Sequence, residues 1–354
     1  MIDCQGSKVF IGSEAWAEFE RLTSALTDSG KNIFVLADEN TNKNCVQKLE
    51  EKFGIFTENL LVIEAGEESK SIEIAQHLWT EMLESGADRQ SILFNIGGGV
   101  VTDLGGFVAS TFKRGIPFVN IPTSLLGMAD AAIGGKCGID LGLAKNQVGT
   151  FTWPTSTLIM PEFLETLPEV ELKSGMAECI KHGLLKGGEL WDQLSILDSS
   201  EMDVDLLTKI VKVKIDVVNE DPKEMGFRKS LNLGHTVGHA VESLAMEEEN
   251  ALPHGHCVIL GLLAELKISE VELGLNPKIL DQFSKLADRH YRSLKFHGVD
   301  FDSLYPFMKL DKKNEQDEVR FALLRGVGKA EVDVSVSEES IKVGLDYLEQ
   351  WQSR

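Results

Sequence analysis

Residues 91–107 read SILFNIGGGVVTDLGGF: a short apolar run, three glycines, then an apolar stretch of helical character. The pattern predicts a buried strand that turns at Gly97–Gly99 into a helix. Glycine lets a phosphate approach the backbone, and the free N–H groups at a helix start favour an anion. Glycine is also the common residue of tight turns, and the spacing differs from G-x-G-x-x-G. The stretch alone therefore leaves a nucleotide site and a plain turn open.

The surrounding 160 residues alternate short apolar runs with helical patterns. Continuous apolar strands between helices predict a largely parallel sheet covered on both faces. After Pro161 helical patterns dominate, with one strand pair near the end of the chain. We therefore expect an α/β, Rossmann-like domain over residues 1–160 and a mainly α-helical domain over residues 161–354. The helices predicted for the second domain are 169–187, 203–219, 228–248, 255–273, 278–289 and 337–352.

Composition narrows the class of protein. The chain has 354 residues and a formal net charge of −21, which disfavours nucleic acid and anionic membranes as partners. No apolar run reaches the roughly 18 residues of a membrane span, and the first residues do not resemble a signal peptide. Five scattered cysteines form no C-x-x-C, so we expect a reducing, cytoplasmic setting. An anionic substrate would need a local basic pocket.

Two more polar features follow predicted strands in the first domain. One strand ends at Asp38-Glu-Asn40, whose acceptors could bind a ribose hydroxyl, and Glu67-x-x-Lys70 follows the next. Together with the glycine turn, they favour a dinucleotide site.

A second glycine-rich stretch runs from Pro122-Thr-Ser to Gly134-Gly-Lys136 and is followed by Lys145-Asn146. Its prolines and glycines predict that no long regular structure forms here. Lysines beside glycine can meet an anion as point charges, although most single lysines are surface residues.

Histidine and carboxylate positions indicate a metal site in the second domain. Glu178 and Lys181 are neighbours at i and i+3 in a small, apolar segment, so we expect them to be buried. Arg228, Asn232, His235 and His239 recur at spacings of four, three and four, which predicts one helix stripe. His254 opens the next helix and could complete a site of three ligands with an open position, the pattern of catalytic zinc. The nearby His256 could support that site, replace a ligand or do neither.

These motifs resemble, in order and over nearly the whole chain, those of the 3-dehydroquinate synthases. Glycerol dehydrogenases are similar more distantly. The motifs are Gly97-Gly-Gly-Val-Val-Thr-Asp103, Pro122-Thr-Ser-Leu-Leu, Gly134-Gly-Lys136, Lys145-Asn146, Phe163-Leu-Glu-Thr-Leu-Pro168, Ala177-Glu178-x-x-Lys181, Leu231-Asn-Leu-Gly-His235-Thr-x-Gly-His239, His254-Gly and Asp311-Lys-Lys-Asn314.

The resemblance implies a homodimer with an NAD-binding first domain and a second domain that binds Zn²⁺ (or Co²⁺) and an anionic sugar acid phosphate. The metal ligands it implies are Glu178, His235 and His254. The substrate-contacting positions it implies are Asp130, Lys136, Lys181, Lys214, Arg228, Asn232, Lys312 (or Lys313) and His239, the last as general acid–base. The NAD-contacting positions it implies are Asp38, Asn40, Glu67, Lys70, Gly97, Gly98, Gly99, Val100, Asp103, Thr123, Ser124, Lys145, Asn146 and Thr166.

The implied reaction converts 3-deoxy-D-arabino-heptulosonate 7-phosphate to 3-dehydroquinate and phosphate. NAD takes a hydride and returns it, phosphate leaves by elimination, and an internal aldol reaction closes the ring. Four positions depart from the family pattern: Ser124 for threonine, His256 for glutamate, Asp140 for asparagine and Ala144 for glycine. The alternatives are another sugar-phosphate cyclase, of the 2-deoxy-scyllo-inosose or epi-valiolone type, and an NAD-linked polyol dehydrogenase, which would release NADH.

Overall fold

The chain folds into two compact units, Met1–Pro168 and Glu169–Arg354. The computed structural model describes residues 1–54, 59–142, 144–197, 202–247, 251–309 and 319–354. Residues 161–166 form a 3₁₀ helix that belongs to the first unit, because the ring of Phe163 lies 6.1 Å from that of Trp16. Within the described residues, no helix has the length and apolar character needed to cross a membrane.

A seven-stranded sheet forms the centre of the first unit, in the order β1-β2-β9-β6-β5-β3-β4. Strands β1 and β2 pair antiparallel, and every other neighbouring pair is parallel, as the apolar runs predicted. The strands of this unit are β1 Ile2–Cys4, β2 Ser7–Ile11, β3 Ile33–Asp38, β4 Leu60–Ile63, β5 Ile92–Gly97, β6 Phe118–Pro122, β7 Lys136–Leu141, β8 Ala144–Phe151 and β9 Ser156–Ile159.

Helices cover both faces of this sheet. Phe94 of β5 contacts Phe19 on one face, and its neighbour Leu93 packs with Leu78 and Leu104 on the other, because successive strand residues point to opposite faces. A π-helical turn over Asn42–Val46 joins two of the helices. The α-helices of this unit are α1 Ser13–Ser29, α2 Glu39–Thr41, α3 Gln47–Phe53, α4 Ile72–Glu84 and α5 Gly99–Thr111.

Strands β7 and β8 form a hairpin where the sequence predicted no long regular structure, so that prediction was wrong. Gly138 lies opposite Gly149 in this hairpin. A Cβ at Gly149 would lie 2.3 Å from the Cys137 carbonyl oxygen. These glycines permit a close approach of the two strands, which is one of the recognised uses of glycine within a sheet.

The second unit is mainly helical. Helix α10 lies at its centre and is buried from Gly255 to Leu266, as expected of a helix that is apolar on all sides. One antiparallel strand pair, β10 Arg320–Gly326 and β11 Lys329–Ser335, accompanies the helices, as predicted. The helices are α6 Glu169–Lys186, α7 Gly188–Leu194, α8 Val204–Glu220, α9 His235–Glu247, α10 His254–Leu273, α11 Pro277–Tyr291, α12 Phe301–Lys309 and α13 Glu338–Ser353.

The continuous helix predicted over 228–248 is wrong. Residues 227–232 form a 3₁₀ helix, and α9 begins only at His235. Between them Gly234 has φ +80°, a left-handed conformation that interrupts a helix and favours glycine. Arg228 and Asn232 therefore do not share a helix stripe with the two histidines.

Candidate active site

Glu178, His235 and His254 converge from three helices of the second unit. Glu178 lies in the middle of α6, His235 is the first residue of α9 and His254 the first of α10. Glu178 Oε1 is 3.5 Å from His235 Nε2 and 3.7 Å from His254 Nε2. One ligand atom from each of the three residues lies within 4.8 Å of the others, close enough for a single ion to bind all three.

The other nitrogen of each imidazole is fixed by an acceptor. His235 Nδ1 lies 3.1 Å from the carbonyl oxygen of Leu233, and His254 Nδ1 lies 3.4 Å from Glu242 Oε2. A carbonyl oxygen can only accept, so Nδ1 of His235 carries the proton and its Nε2 lone pair faces Glu178. Such outer contacts orient histidine ligands and set their tautomer.

Charge at this cluster is buried. Glu178 and Lys181 are each 1% exposed, and the Lys181 ammonium contacts Glu178 Oε2 directly. Burial and then the Lys181 charge hold the pKa of His235 well below its usual range. Burial also opposes charge on His254, but hydrogen bonds to Glu178 and Glu242 raise its pKa to about 10. The carboxylates of Glu178 and Glu242 thus stabilise positive charge on His254. Two imidazoles and one carboxylate also form a donor set that suits zinc.

His239 lies beside the cluster without belonging to the triad. It stands one turn after His235 on α9 and is half-buried. Its ring centroid is 5.2 Å from that of His235 and 5.9 Å from that of His254. This position leaves an imidazole next to the ligands and partly open to solvent, as a proton carrier requires.

Three further polar side chains predicted for the site lie on neighbouring segments. Lys214 on α8 is 6% exposed, and Arg228 on the 3₁₀ helix is 1% exposed. Arg228 Nη1 donates to the Pro222 carbonyl oxygen at 2.6 Å, and Asn232 Nδ2 donates to Glu224 Oε1 at 3.2 Å. This 3₁₀ helix packs against α6 and α8. The predicted Lys312, with Lys313, lies outside the described residues.

The glycine turn lies at the carboxyl ends of the parallel strands, where open α/β sheets bind ligands. Gly97 ends β5 opposite Pro122 of β6, and Thr123 N donates to the Gly97 carbonyl oxygen at 3.0 Å. Gly98 is the N-cap residue of α5. A Cβ on Gly97 would lie 2.5 Å from Val101, whereas one on Gly98 would meet only Ser124, at 3.3 Å. Packing therefore requires glycine at 97 but not at 98.

Lys70 organises a polar cluster in the first unit. Its ammonium is nearly buried and donates to Asp103 Oδ2 at 2.7 Å and to Asn146 Oδ1 at 2.6 Å. Burial opposes its charge, but Asp103 and then Glu67 raise its pKa above the usual range. Asn146 N, in a residue with φ +53°, donates to Asp140 Oδ1 at 2.6 Å. Four predicted NAD contacts, Glu67, Lys70, Asp103 and Asn146, thus form one network. Asp140, which departs from the family pattern, belongs to the same network.

The remaining predicted positions of the first unit lie on several different helices, strands and turns. Asp38 caps the short helix α2, where its Oδ1 accepts from Thr41 N at 2.8 Å. Ser124 Oγ accepts from Gly127 N at 3.1 Å. Half-buried positions are Gly99, Val100, Asp130 and Lys145, and exposed ones are Asn40, Lys136 and Thr166.

Two family models divide the chain between them. The 3-dehydroquinate synthase N-terminal model matches residues 60–174, and the C-terminal model matches residues 175–314. The 3-dehydroquinate synthase of Parabacteroides distasonis is 39% identical over 347 residues, 97% of this chain and 98% of that protein. That of Halalkalibacterium halodurans is 40% identical over 295 residues, 81% of each. The chain belongs to the 3-dehydroquinate synthase family.

Solved structures agree with this family assignment at the level of the fold. A 2-deoxy-scyllo-inosose synthase complexed with carbaglucose-6-phosphate, NAD⁺ and Co²⁺ has a TM-score of 0.82 at 21% identity, covering 96% of this chain and 95% of that one. A 2-epi-5-epi-valiolone synthase from Streptomyces hygroscopicus with NAD⁺ and Zn²⁺ bound has a TM-score of 0.81 at 25% identity, covering 99% and 98%. The expected fold class, an α/β domain followed by a mainly helical one, is confirmed.

His256, the departure from the family pattern that sequence reasoning left open, lies apart from the clustered ligands. It follows His254 by two residues on α10, which turns its side chain away from the triad. Its ring packs edge-on against Tyr291 with centroids 5.6 Å apart. No potential metal-ligand cluster found among the described residues includes His256. Its contact is therefore with the core rather than with an ion.

Three carboxylates at the site escaped the sequence analysis. Glu242 contacts His254. Glu265 accepts hydrogen bonds from two backbone N–H groups at the start of α9. Asp221 accepts hydrogen bonds from three backbone N–H groups, which lie just before the 3₁₀ helix or in its first turn. Glu242 had a signal, since it follows His235 by seven residues and shares its helix face. Asp221 and Glu265 had none, because they bind backbone groups that any sequence supplies.

Proposed function

We propose that the chain converts 3-deoxy-D-arabino-heptulosonate 7-phosphate to 3-dehydroquinate and phosphate, with NAD and a divalent metal ion as cofactors. The observation that carries the proposal is the cluster of buried Glu178, buried His235 and half-buried His254, with the Lys181 ammonium against Glu178. The family membership supports the choice of substrate.

The bound cofactors supply a reversible hydride acceptor and a Lewis acid. Glu178, His235 and His254 hold the metal ion, and Zn²⁺ or Co²⁺ fits two imidazoles and a carboxylate. In the first unit the Gly97–Gly99 turn and the start of α5 receive the phosphates of NAD, because backbone N–H groups at a helix start favour anions. The NAD contacts proposed here are Asp38, Asn40, Glu67, Lys70, Val100, Asp103, Thr123, Ser124, Lys145, Asn146 and Thr166.

Cationic side chains hold the substrate, which carries a carboxylate and a phosphate. A chain with a net charge of −21 needs local cations for such a ligand. Lys181, Lys214 and Arg228 supply them in the second unit, where burial strengthens each charge–charge interaction. Asn232 there, and Asp130 and Lys136 in the first unit, are the other proposed substrate contacts.

His239 is the proposed general acid–base. An imidazole nitrogen of His239 takes a proton from the substrate and returns it, since the ring lies beside both histidine ligands and remains partly exposed. Because bound NAD would serve as a reversible hydride acceptor, the overall reaction would involve no net oxidation. A homodimer in the cytoplasm is the proposed setting.

One assay tests the proposal. Purified chain with the heptulosonate phosphate, NAD and Zn²⁺ should release phosphate and 3-dehydroquinate in equal amounts with no net NADH. Stoichiometric NADH would instead indicate a polyol dehydrogenase. Phosphate release only from glucose 6-phosphate or sedoheptulose 7-phosphate would indicate a different sugar-phosphate cyclase.

A further inference from the structure

Glu265 is a fully buried carboxylate that reaches from α10 to the first turn of α9. Its Oε2 accepts from Gly234 N at 2.6 Å, and its Oε1 accepts from Val237 N at 2.9 Å. His235 lies between these two donors in the chain. Each carboxylate oxygen thus holds one backbone N–H group on either side of a proposed metal ligand.

The start of α9 depends on this remote cap. The first N–H groups of a helix have no partner within the helix, and a side chain just before the helix usually accepts from them. The residue before α9 is Gly234, which has no side chain. The carboxylate also suits the positive end of the helix dipole.

The two helices cross too closely for water to replace Glu265. A Cβ on Gly261 would lie 1.9 Å from the Gly234 carbonyl oxygen, and one on Gly238 would lie 3.0 Å from the Cys257 carbonyl oxygen. Backbone therefore meets backbone at this crossing. Because solvent has no room to enter there, the N–H groups of α9 need an acceptor supplied by the protein.

Glu265 and His254 project from the same face of α10. They are eleven residues apart, close to three full turns at 3.6 residues per turn. Helix α10 therefore provides one proposed ligand, His254, at its start. Three turns later, Glu265 of the same helix holds the start of α9, which provides the proposed ligand His235.

We propose that Glu265 is a positioning residue for the metal site, which fixes the His235 imidazole relative to His254. The hydrogen bond from His235 Nδ1 to the Leu233 carbonyl oxygen completes the restraint on that ring. This inference rests on the proposed metal ligands and deepens them. It assigns a role to a buried acid that is not among the proposed metal ligands or substrate contacts.

The test replaces Glu265 by Gln and measures Co²⁺ binding to the full-length chain. An amide can accept from only one of the two N–H groups, since its NH₂ faces the other. We expect Co²⁺ affinity, measured by competition with a chromophoric chelator, to fall about 10- to 100-fold, the usual effect of losing an outer partner of a ligand. The visible absorption spectrum of the bound Co²⁺ should change as well.

Ser269→Ala is the matched control. Ser269 lies one turn further along α10, is fully buried, and accepts from Leu324 N at 3.1 Å. Its loss weakens the packing of the same helix without touching α9, so we expect lower stability with unchanged Co²⁺ affinity and spectrum. Equal weakening in Ser269→Ala and Glu265→Gln would overturn the proposal, because it would show a general packing effect.

Two further variants keep the outcomes distinct. If Glu265→Gln does not fold, Glu265→Asp keeps the charge but shortens the reach, and a smaller loss in the same direction is expected. A folded Glu265 variant that binds Co²⁺ within twofold of the unmodified chain with the same spectrum refutes the role of Glu265. His235→Ala tests the ligand itself: if it retains Co²⁺, the proposed metal site fails whatever Glu265 does.

Discussion

The glycine turn of the first unit and the histidine cluster of the second form their candidate sites in opposite ways. At Gly97–Gly99 three successive glycines begin the turn into α5, so no side chain of these residues covers the start of that helix. At Glu178, His235 and His254 the protein brings charged and polar side chains together, the first two buried and His254 half-buried. A ligand of the first site would meet mostly backbone, and a ligand of the second would meet side chains.

This difference predicts different sensitivities to substitution. Added atoms should harm the glycine turn, where space is the functional feature. Removed charges should harm the histidine cluster, because each buried charge there is balanced by another. The four predictions below test that contrast.

The largest effect is expected from Glu178→Gln. The change removes the carboxylate that Lys181, His235 and His254 share and leaves the ammonium of Lys181 buried without it. Breaking a buried ion pair from one side costs about 3–5 kcal/mol. We expect loss of bound metal by elemental analysis, loss of activity and a lower free energy of unfolding in urea.

Glu171→Gln provides the control on the same helix. Glu171 lies near the start of α6 with an exposed side chain, and partial burial raises the pKa of its carboxyl, so removing its charge should not lower stability and should leave the metal content unchanged. If Glu178→Gln keeps its metal and its stability, the buried cluster is not held together by charge, and the contrast with the glycine turn fails.

The second effect is expected from Glu242→Ala. His254 Nδ1 loses its acceptor, so the imidazole is free to rotate away from Glu178. We expect an affinity for Zn²⁺ lower by about 10- to 100-fold, measured by chelator competition. Glu242→Gln keeps an acceptor oxygen and should recover part of the loss. Equal loss in both variants would show that the charge of Glu242, rather than its hydrogen bond, supports the site.

Residue chemistry made the candidate metal-ligand cluster predictable, whereas backbone geometry could not be read from the sequence. Carboxylate and histidine among apolar neighbours are costly, so Glu178, His235 and His254 stood out. The 228–239 stripe was predicted wrongly, because helical spacing does not reveal that Gly234 takes φ +80°. Glu265 acts on backbone groups 31 and 28 residues away, a contact that leaves no pattern in the sequence.

The third prediction compares two substitutions in the glycine turn, one expected to obstruct a ligand and the other expected to disturb packing. Gly98→Ala adds a methyl group that meets only the Ser124 side chain, at 3.3 Å from Oγ and 3.8 Å from Cβ, so the fold should tolerate it. A ligand at the start of α5 would meet that methyl group, and we expect NADH affinity, measured by fluorescence titration, to fall about tenfold. Gly97→Ala should instead lower stability by about 1–3 kcal/mol through its 2.5 Å contact with Val101. Unchanged NADH affinity in Gly98→Ala would contradict the proposed turn.

The smallest effect concerns Asp221, which organises the segment before Arg228. Burial opposes its charge, but hydrogen bonds from Gly226, Met225 and Arg228 N–H groups hold its pKa below the usual range. A lowered pKa means that the carboxylate stabilises the fold above its unfolded pKa of about 3.9, and that this contribution disappears as pH falls through the folded value.

Asp221→Asn should therefore lower the free energy of urea unfolding by about 1 kcal/mol at pH 7, a value reduced by solvent screening. At pH 3, which is below the unfolded pKa, the gap between variant and unmodified chain should narrow, since the contribution of the carboxylate declines as pH falls toward the folded value. An equal difference in the free energy of unfolding at both pH values would show that Asp221 acts through its shape alone. The charge of a carboxylate would then matter at the histidine cluster but not in the segment before Arg228.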